Sequence, residues 1–152
     1  METTNGNLSM VAEIRVDLYP RVKISSLPQI KSSKEAYEIL VSKWSEISYR
    51  ERFKILFLNS GNRVIGIKEI SAGGINGTVV DIKMILQAAL GVNANRMILA
   101  HNHPSSTLNF SKEDMKITEK IKKAAKLMDI EVLDHILLIQ DDYLSMADKG
   151  IL

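Results

Sequence analysis

The sequence predicts an α/β (α+β) domain, a mixed β-sheet flanked by about three helices. Short apolar runs over 53–58, 96–100 and 131–139 read as strands. Stretches with apolar residues at helical spacing lie between them. Clusters of Gly, Asn, Asp, Ser and Pro punctuate the junctions.

Taken in order, residues 1–10 are polar and expected to fray. Apolar and polar residues alternate from Ala12 to Leu18, as in a half-buried strand. Pro20 ends it early or keeps it at an edge, and Val22 and Ile24 are possible continuations. Ser32 and Glu35 form a capping-box start. Ala36, Leu40, Trp44 and Ile47 then recur at helical spacing, which predicts a helix over 33–48. The run 53–58, the turn Asn59-Ser60-Gly61-Asn62, and Val64, Ile65, Ile67 and Ile70 read as a hairpin. Gly73, Gly74 and Gly77 mark a loop. Asp81 starts a second helix carrying Ile82, Ile85, Leu86 and Leu90, ended by Gly91. A third carries Ile117, Ile121, Ala124, Ala125 and Met128. Asp141-Asp142 turns the chain from the 131–139 strand into a last short one over 143–146.

Composition narrows the chemistry. A chain of 152 residues fits one domain and can bury a core unaided. A formal net charge of +2 is too mild to argue nucleic-acid binding. Without cysteine there is no disulfide, thiolate metal site or cysteine nucleophile. The opening METTNGNLSM lacks the features of a signal peptide. No run approaches the roughly 18 apolar residues of a membrane span. The expectation is a cytoplasmic protein whose metal chemistry uses His, Asp and Glu.

Two of the three histidines, His101 and His103, close the 96–100 strand. In extended backbone, residues i and i+2 point to one face, so both imidazoles can converge on one atom. Pro104 stops the strand and leaves the pair at a sheet end, within reach of a ligand. A single strand-end histidine is ordinarily structural or solvated; a pair at this spacing points towards metal. Ser111-Lys112-Glu113-Asp114 then reads as a helix N-cap with an N3 carboxylate. A first-turn aspartate is held rigidly. If the 104–110 loop folds back, Asp114 becomes a third ligand, and two histidines with one carboxylate leave a fourth zinc position open.

The spacing His-x-His, seven residues, Ser-x-x-Asp resembles the JAMM (JAB/MPN-type) metallopeptidases. It is most similar to the RadC branch through His101-Asn102-His103-Pro104-Ser105, Leu133-Asp134-His135-Ile136 and Tyr143-Leu144-Ser145. The resemblance implies a three-layer JAB/MPN-like (cytidine-deaminase-like) domain over 31–152, behind an N-terminal segment 1–30. It implies Zn2+ held by His101, His103 and Asp114, and hydrolysis of a peptide or isopeptide bond in an unidentified peptide or protein substrate. A distant strand-start glutamate completes the family motif as general base; Glu51 is the choice and Glu69 the rival. Ser111 stands at the oxyanion-stabilising serine; Asp134 and His135 either help shape the site or form a buried pair that ties the strand down.

Departures are also visible. RadC proteins usually carry Gly where this chain has Ser106 and Pro where it has Phe110, so the loop over the metal is expected to differ. A common Pro-Arg-Glu element reads Ile82-Lys83-Met84 here, and no role is carried over for it. The fuller RadC architecture has a helix-hairpin-helix region ahead of this domain, which residues 1–30 are too short to hold.

Two other readings stand beside this one. Lys112, Lys116, Lys120, Lys122, Lys123 and Lys126 could meet phosphates in a DNA-repair-associated protein, as a binding module or a nuclease. Such a set is more often a solvated helix face; Glu113 and Glu119 partly neutralise it, and no aromatics interleave for stacking. An inactive scaffold would have lost motif residues, and every core position is occupied.

Overall fold

A computed structural model describes residues 10–14, 23–72 and 79–152. The expected edge strand falls mostly outside them. Residues 12–14 carry no strand, and 15–22 and the Gly73–Gly77 loop lie outside the described residues. Ile24 sits in a single 3-10 turn, Ile24–Ser26, rather than in extended chain.

The first helix, α1, spans Ser33–Ser42. Ser32 accepts from the Glu35 amide at 3.2 Å, and the Glu35 carboxylate reaches back to the Lys31 amide at 2.6 Å. The helix ends six residues short of the predicted 48. Trp44 is buried and Ile47 half-buried, both against the core that α1 covers, but they reach it from a loop. Glu46 takes a left-handed φ of 58°, which a continuing helix excludes. Apolar spacing alone does not separate a helix from a loop that returns to the same core.

The strands follow the reading closely. β1 (Arg52–Leu58) and β2 (Val64–Ala72) form the hairpin. Its turn is closed by the Asn59 amide on the Arg63 carbonyl, with Asn62 at φ 59°. Asp81 caps α2 (Ile82–Gly91) by accepting from the Met84 amide. β3 (Arg96–Asn102) precedes α3 (Lys112–Lys126), which leads to β4 (Glu131–Leu138) and β5 (Tyr143–Ser145). The sheet order is β2-β1-β3-β4-β5. Among the described residues only β3 and β4 pair in parallel, and α3 lies in the connection that this requires.

Alternation along the strands builds two core layers. Phe53, Ile55, Phe57, Met97 and Leu99 pack with Ile85 and Ala89 of α2 and Ile121 and Ala125 of α3. Leu56, Leu58, Ile98, Ala100, Ile136 and Leu138 pack with Ala36 and Leu40 of α1 on the other face. The result is the expected mixed sheet between helices. Leu90 and Met128, at the ends of their stripes, stay largely exposed. Among the described residues, no helix is long and apolar enough to cross a membrane.

Candidate metal centre

The carboxyl end of β3 carries the histidine pair. Phe53 of β1 stands opposite His101, so continuing the antiparallel register sets Glu51 opposite His103. Glu51 and both histidines therefore share the face covered by α2 and α3. His101 is buried, and His103 and Glu51 are half-buried.

The two imidazoles meet edge to face, with their Nε2 atoms 3.1 Å apart. Asp114 Oδ2 lies 3.3 Å from His101 Nε2 and 3.6 Å from His103 Nε2. The loop after Pro104 does fold back, and α3 delivers its aspartate. Ser111 Oγ accepts from the Asp114 amide at 3.0 Å, and Asp114 Oδ2 accepts from the Ser111 amide at 2.8 Å. This capping box fixes the carboxylate before any ligand arrives. A carboxylate oxygen of Glu51 lies within 4.8 Å of a ring nitrogen of each histidine.

Hydrogen bonds assign the tautomers. Thr118 donates its one hydroxyl proton to the Asp114 carbonyl at 2.6 Å. Its oxygen must then accept from His135 Nδ1, also at 2.6 Å. Neutral His135 is left with an acceptor at Nε2, which takes the His101 Nδ1 proton at 2.7 Å. His103 Nδ1 donates to the Thr107 carbonyl at 2.8 Å. In the neutral rings both Nε2 atoms therefore carry lone pairs, and they face each other and a carboxylate oxygen.

That arrangement calls for a positive charge. The Asp114 carboxylate raises the pKa of His103. Burial opposes the Asp114 charge, yet the adjacent His101 and His103 rings and the Ser111 amide hold it well below the usual carboxylate range. Burial first, then His101, pushes His135 well below the ordinary histidine value, which keeps it neutral.

The remaining predicted residues separate by face. Glu69 stands opposite Lys54, whose ammonium reaches the Lys43 carbonyl and the Trp44 ring on the α1 side. It pairs with Arg52 at 2.8 Å and is not brought to the histidines. His135 is brought to the site, but its neighbour Asp134 points to the other face. There Asp134 accepts from Ser145 Oγ, the Ala147 amide and the His135 amide, tying β5 and the following turn to β4. Thr118 was not anticipated, although it lies four residues after Asp114, one helical turn along the same face.

Residues 30–151 match the family described as the RadC-like JAB domain. This chain belongs to that family. Three proteins named UPF0758 protein are similar to it. The one from Flavobacterium johnsoniae is 40% identical over 145 residues, covering 95% of this chain and 63% of the relative. That from Staphylococcus carnosus is 33% identical, with 95% and 65% covered. That from Porphyromonas gingivalis is 32% identical, with 90% and 62% covered. The chain thus spans less than two thirds of the length of these relatives.

The two departures from the RadC pattern now have physical content. Phe110 lies over the buried imidazoles, its ring centroid 5.5 Å from His135 and 6.1 Å from His101. Ser106 has φ 61°, a left-handed conformation costing a serine about 1–2 kcal/mol. Glycine removes that cost but loses more backbone freedom on folding. Ser106→Gly is therefore expected to stabilise this RadC-like domain by about 0.5–1 kcal/mol. A thermal melt should show the midpoint rising by a few degrees; an unchanged or lower midpoint would refute the strain.

Proposed function

We propose that this RadC-like domain is a zinc-dependent hydrolase that cleaves a peptide or isopeptide bond. One observation carries the reading: the Nε2 atoms of two histidines and a carboxylate oxygen converge within 3.1–3.6 Å of one another. Zinc ligands at about 2.0–2.2 Å in a tetrahedron stand about 3.3–3.6 Å from one another. The three separations here are 3.1, 3.3 and 3.6 Å. Nitrogen and carboxylate donors with no thiolate suit zinc.

His101, His103 and Asp114 would hold the ion. When bound, zinc supplies Lewis acidity, lowering the pKa of a water towards about 7 and drawing charge from a carbonyl oxygen. Glu51 is the proton carrier on this reading. Its carboxylate lies within 4.8 Å of both histidines, close enough to meet a water beside the ion. It takes the proton of the attacking water and gives it to the leaving amine. Ser111 commits its oxygen to the helix cap, and its hydroxyl proton is available to the oxyanion. The start of α3 adds partial positive charge on the same side.

The DNA-associated reading gains no support from the lysine face. Glu119 already pairs with Lys122 and Lys123 there. A zinc-loaded sample should cleave members of a mixed peptide and lysine-isopeptide library, read by mass spectrometry. Dipicolinate should stop the cleavage and added zinc should restore it. A zinc-loaded chain that cuts neither bond type, or cuts equally with the chelator present, would refute the assignment.

A further inference from the structure

Asn102 sits between the two histidines and points the other way. It is fully buried. Its Oδ1 accepts from the Arg52 amide at 2.7 Å, and its Nδ2 donates to the carbonyls of Ile47 at 2.6 Å and Arg50 at 2.8 Å. Only one orientation of the amide satisfies one donor and two acceptors. Two of these bonds bracket Glu51, one on the residue before it and one on the residue after. Glu51 itself lies outside the ladder of β1, which begins at Arg52. It ends a loop that turns at Glu46, where the Tyr49 and Arg50 amides close on the Glu46 carbonyl. Without the bracket, nothing in the strand pairing sets the backbone angles of Glu51.

We infer that Asn102 is the positioning residue for Glu51: one three-residue segment presents two imidazoles on one face and, on the other, locks the loop that carries the carboxylate. Spacing between the base and the ligand pair is thereby built into adjacent residues. The inference rests on the metal reading for its chemical consequence, while the bracket itself does not.

Acetohydroxamate is a suitable probe, because a hydroxamic acid binds zinc as its anion and its O–H proton moves to a nearby carboxylate. The dissociation constant is measured by calorimetry on zinc-loaded full chain. Glu51→Gln should weaken binding about tenfold or more, the worth of a hydrogen bond to a charged group. Asn102→Ser, too short to reach both carbonyls, should weaken it similarly while zinc affinity is kept. The double variant should be no weaker than Glu51→Gln alone, since both act through one carboxylate. Amide hydrogen exchange on the unaltered chain without metal gives a second readout. The Arg52 amide, at the first residue of its strand, should exchange as slowly as those deep in β1. Unaltered acetohydroxamate binding by Asn102→Ser, additive effects in the double variant, or fast Arg52 exchange would each overturn the inference. If the unaltered chain holds no zinc, the metal reading fails, and the Arg52 exchange still decides the bracket.

Discussion

The unaltered chain is expected to carry about one zinc per chain, and a His101→Ala, His103→Ala variant none that survives dialysis. Each histidine in its neutral form offers a lone pair at Nε2, and no cysteine is present to take over. Removing both leaves only the carboxylates of Asp114 and Glu51 among the described residues at the site, too little to hold zinc against water. Elemental analysis of protein purified without chelators reads the outcome. A graded form of the experiment tests how the site is prepared. Thr118→Val removes the oxygen that takes the His135 Nδ1 proton, so His135 loses the bond that orients it towards His101. Loss of such an outer partner typically weakens metal binding about 10–100-fold. A chelator competition should find zinc bound more weakly by that factor, with the fold retained. Equal zinc in the double histidine variant and the unaltered chain would refute the site. Equal affinity in Thr118→Val would refute the relay alone.

The second large effect concerns the carboxylate. Glu51→Gln should keep zinc and lose about 10²–10⁴ in turnover, the usual worth of a positioned general base. Glutamine retains the size and polarity of the side chain but cannot take a proton. Glu69→Gln is the control. It breaks the 2.8 Å pair with Arg52 on the opposite face. A partly exposed pair of this kind contributes roughly 0–1 kcal/mol, so stability falls little and turnover should not change. Both variants are compared on whichever library bond the unaltered chain cleaves, with zinc content measured in the same samples. A dead Glu69→Gln beside a fully active Glu51→Gln would reverse the assignment.

Glu51 and Glu69 show why sequence left a choice that the fold resolves. Both are carboxylates beside basic neighbours near strand termini. Period-two alternation decides the face of a residue only once its partner strand and register are known. Phe53 opposite His101 and Lys54 opposite Glu69 send the two glutamates to opposite sides of the sheet. The same reasoning divides Asp134 from His135, adjacent in sequence and separated by the full thickness of a strand.

Much was determined by sequence alone. Strands β1 to β5, α2 and α3 follow from local apolar periods and capping residues, whereas the strand expected from Ala12 is absent over 12–14. The histidine pair follows from i, i+2 geometry in extended chain, and the Ser111–Asp114 cap from spacing within one helical turn. Each depends on residues close together along the chain. Tertiary structure decided what joins distant segments: the end of α1 at Ser42, set by a loop returning to the core, and the relay from Asp114 through Thr118 and His135 to His101. It also set the three bonds of Asn102 around Glu51. Hydrogen-bond direction depends on which groups meet across the sheet, and a single chain read in order does not specify those meetings before it is folded.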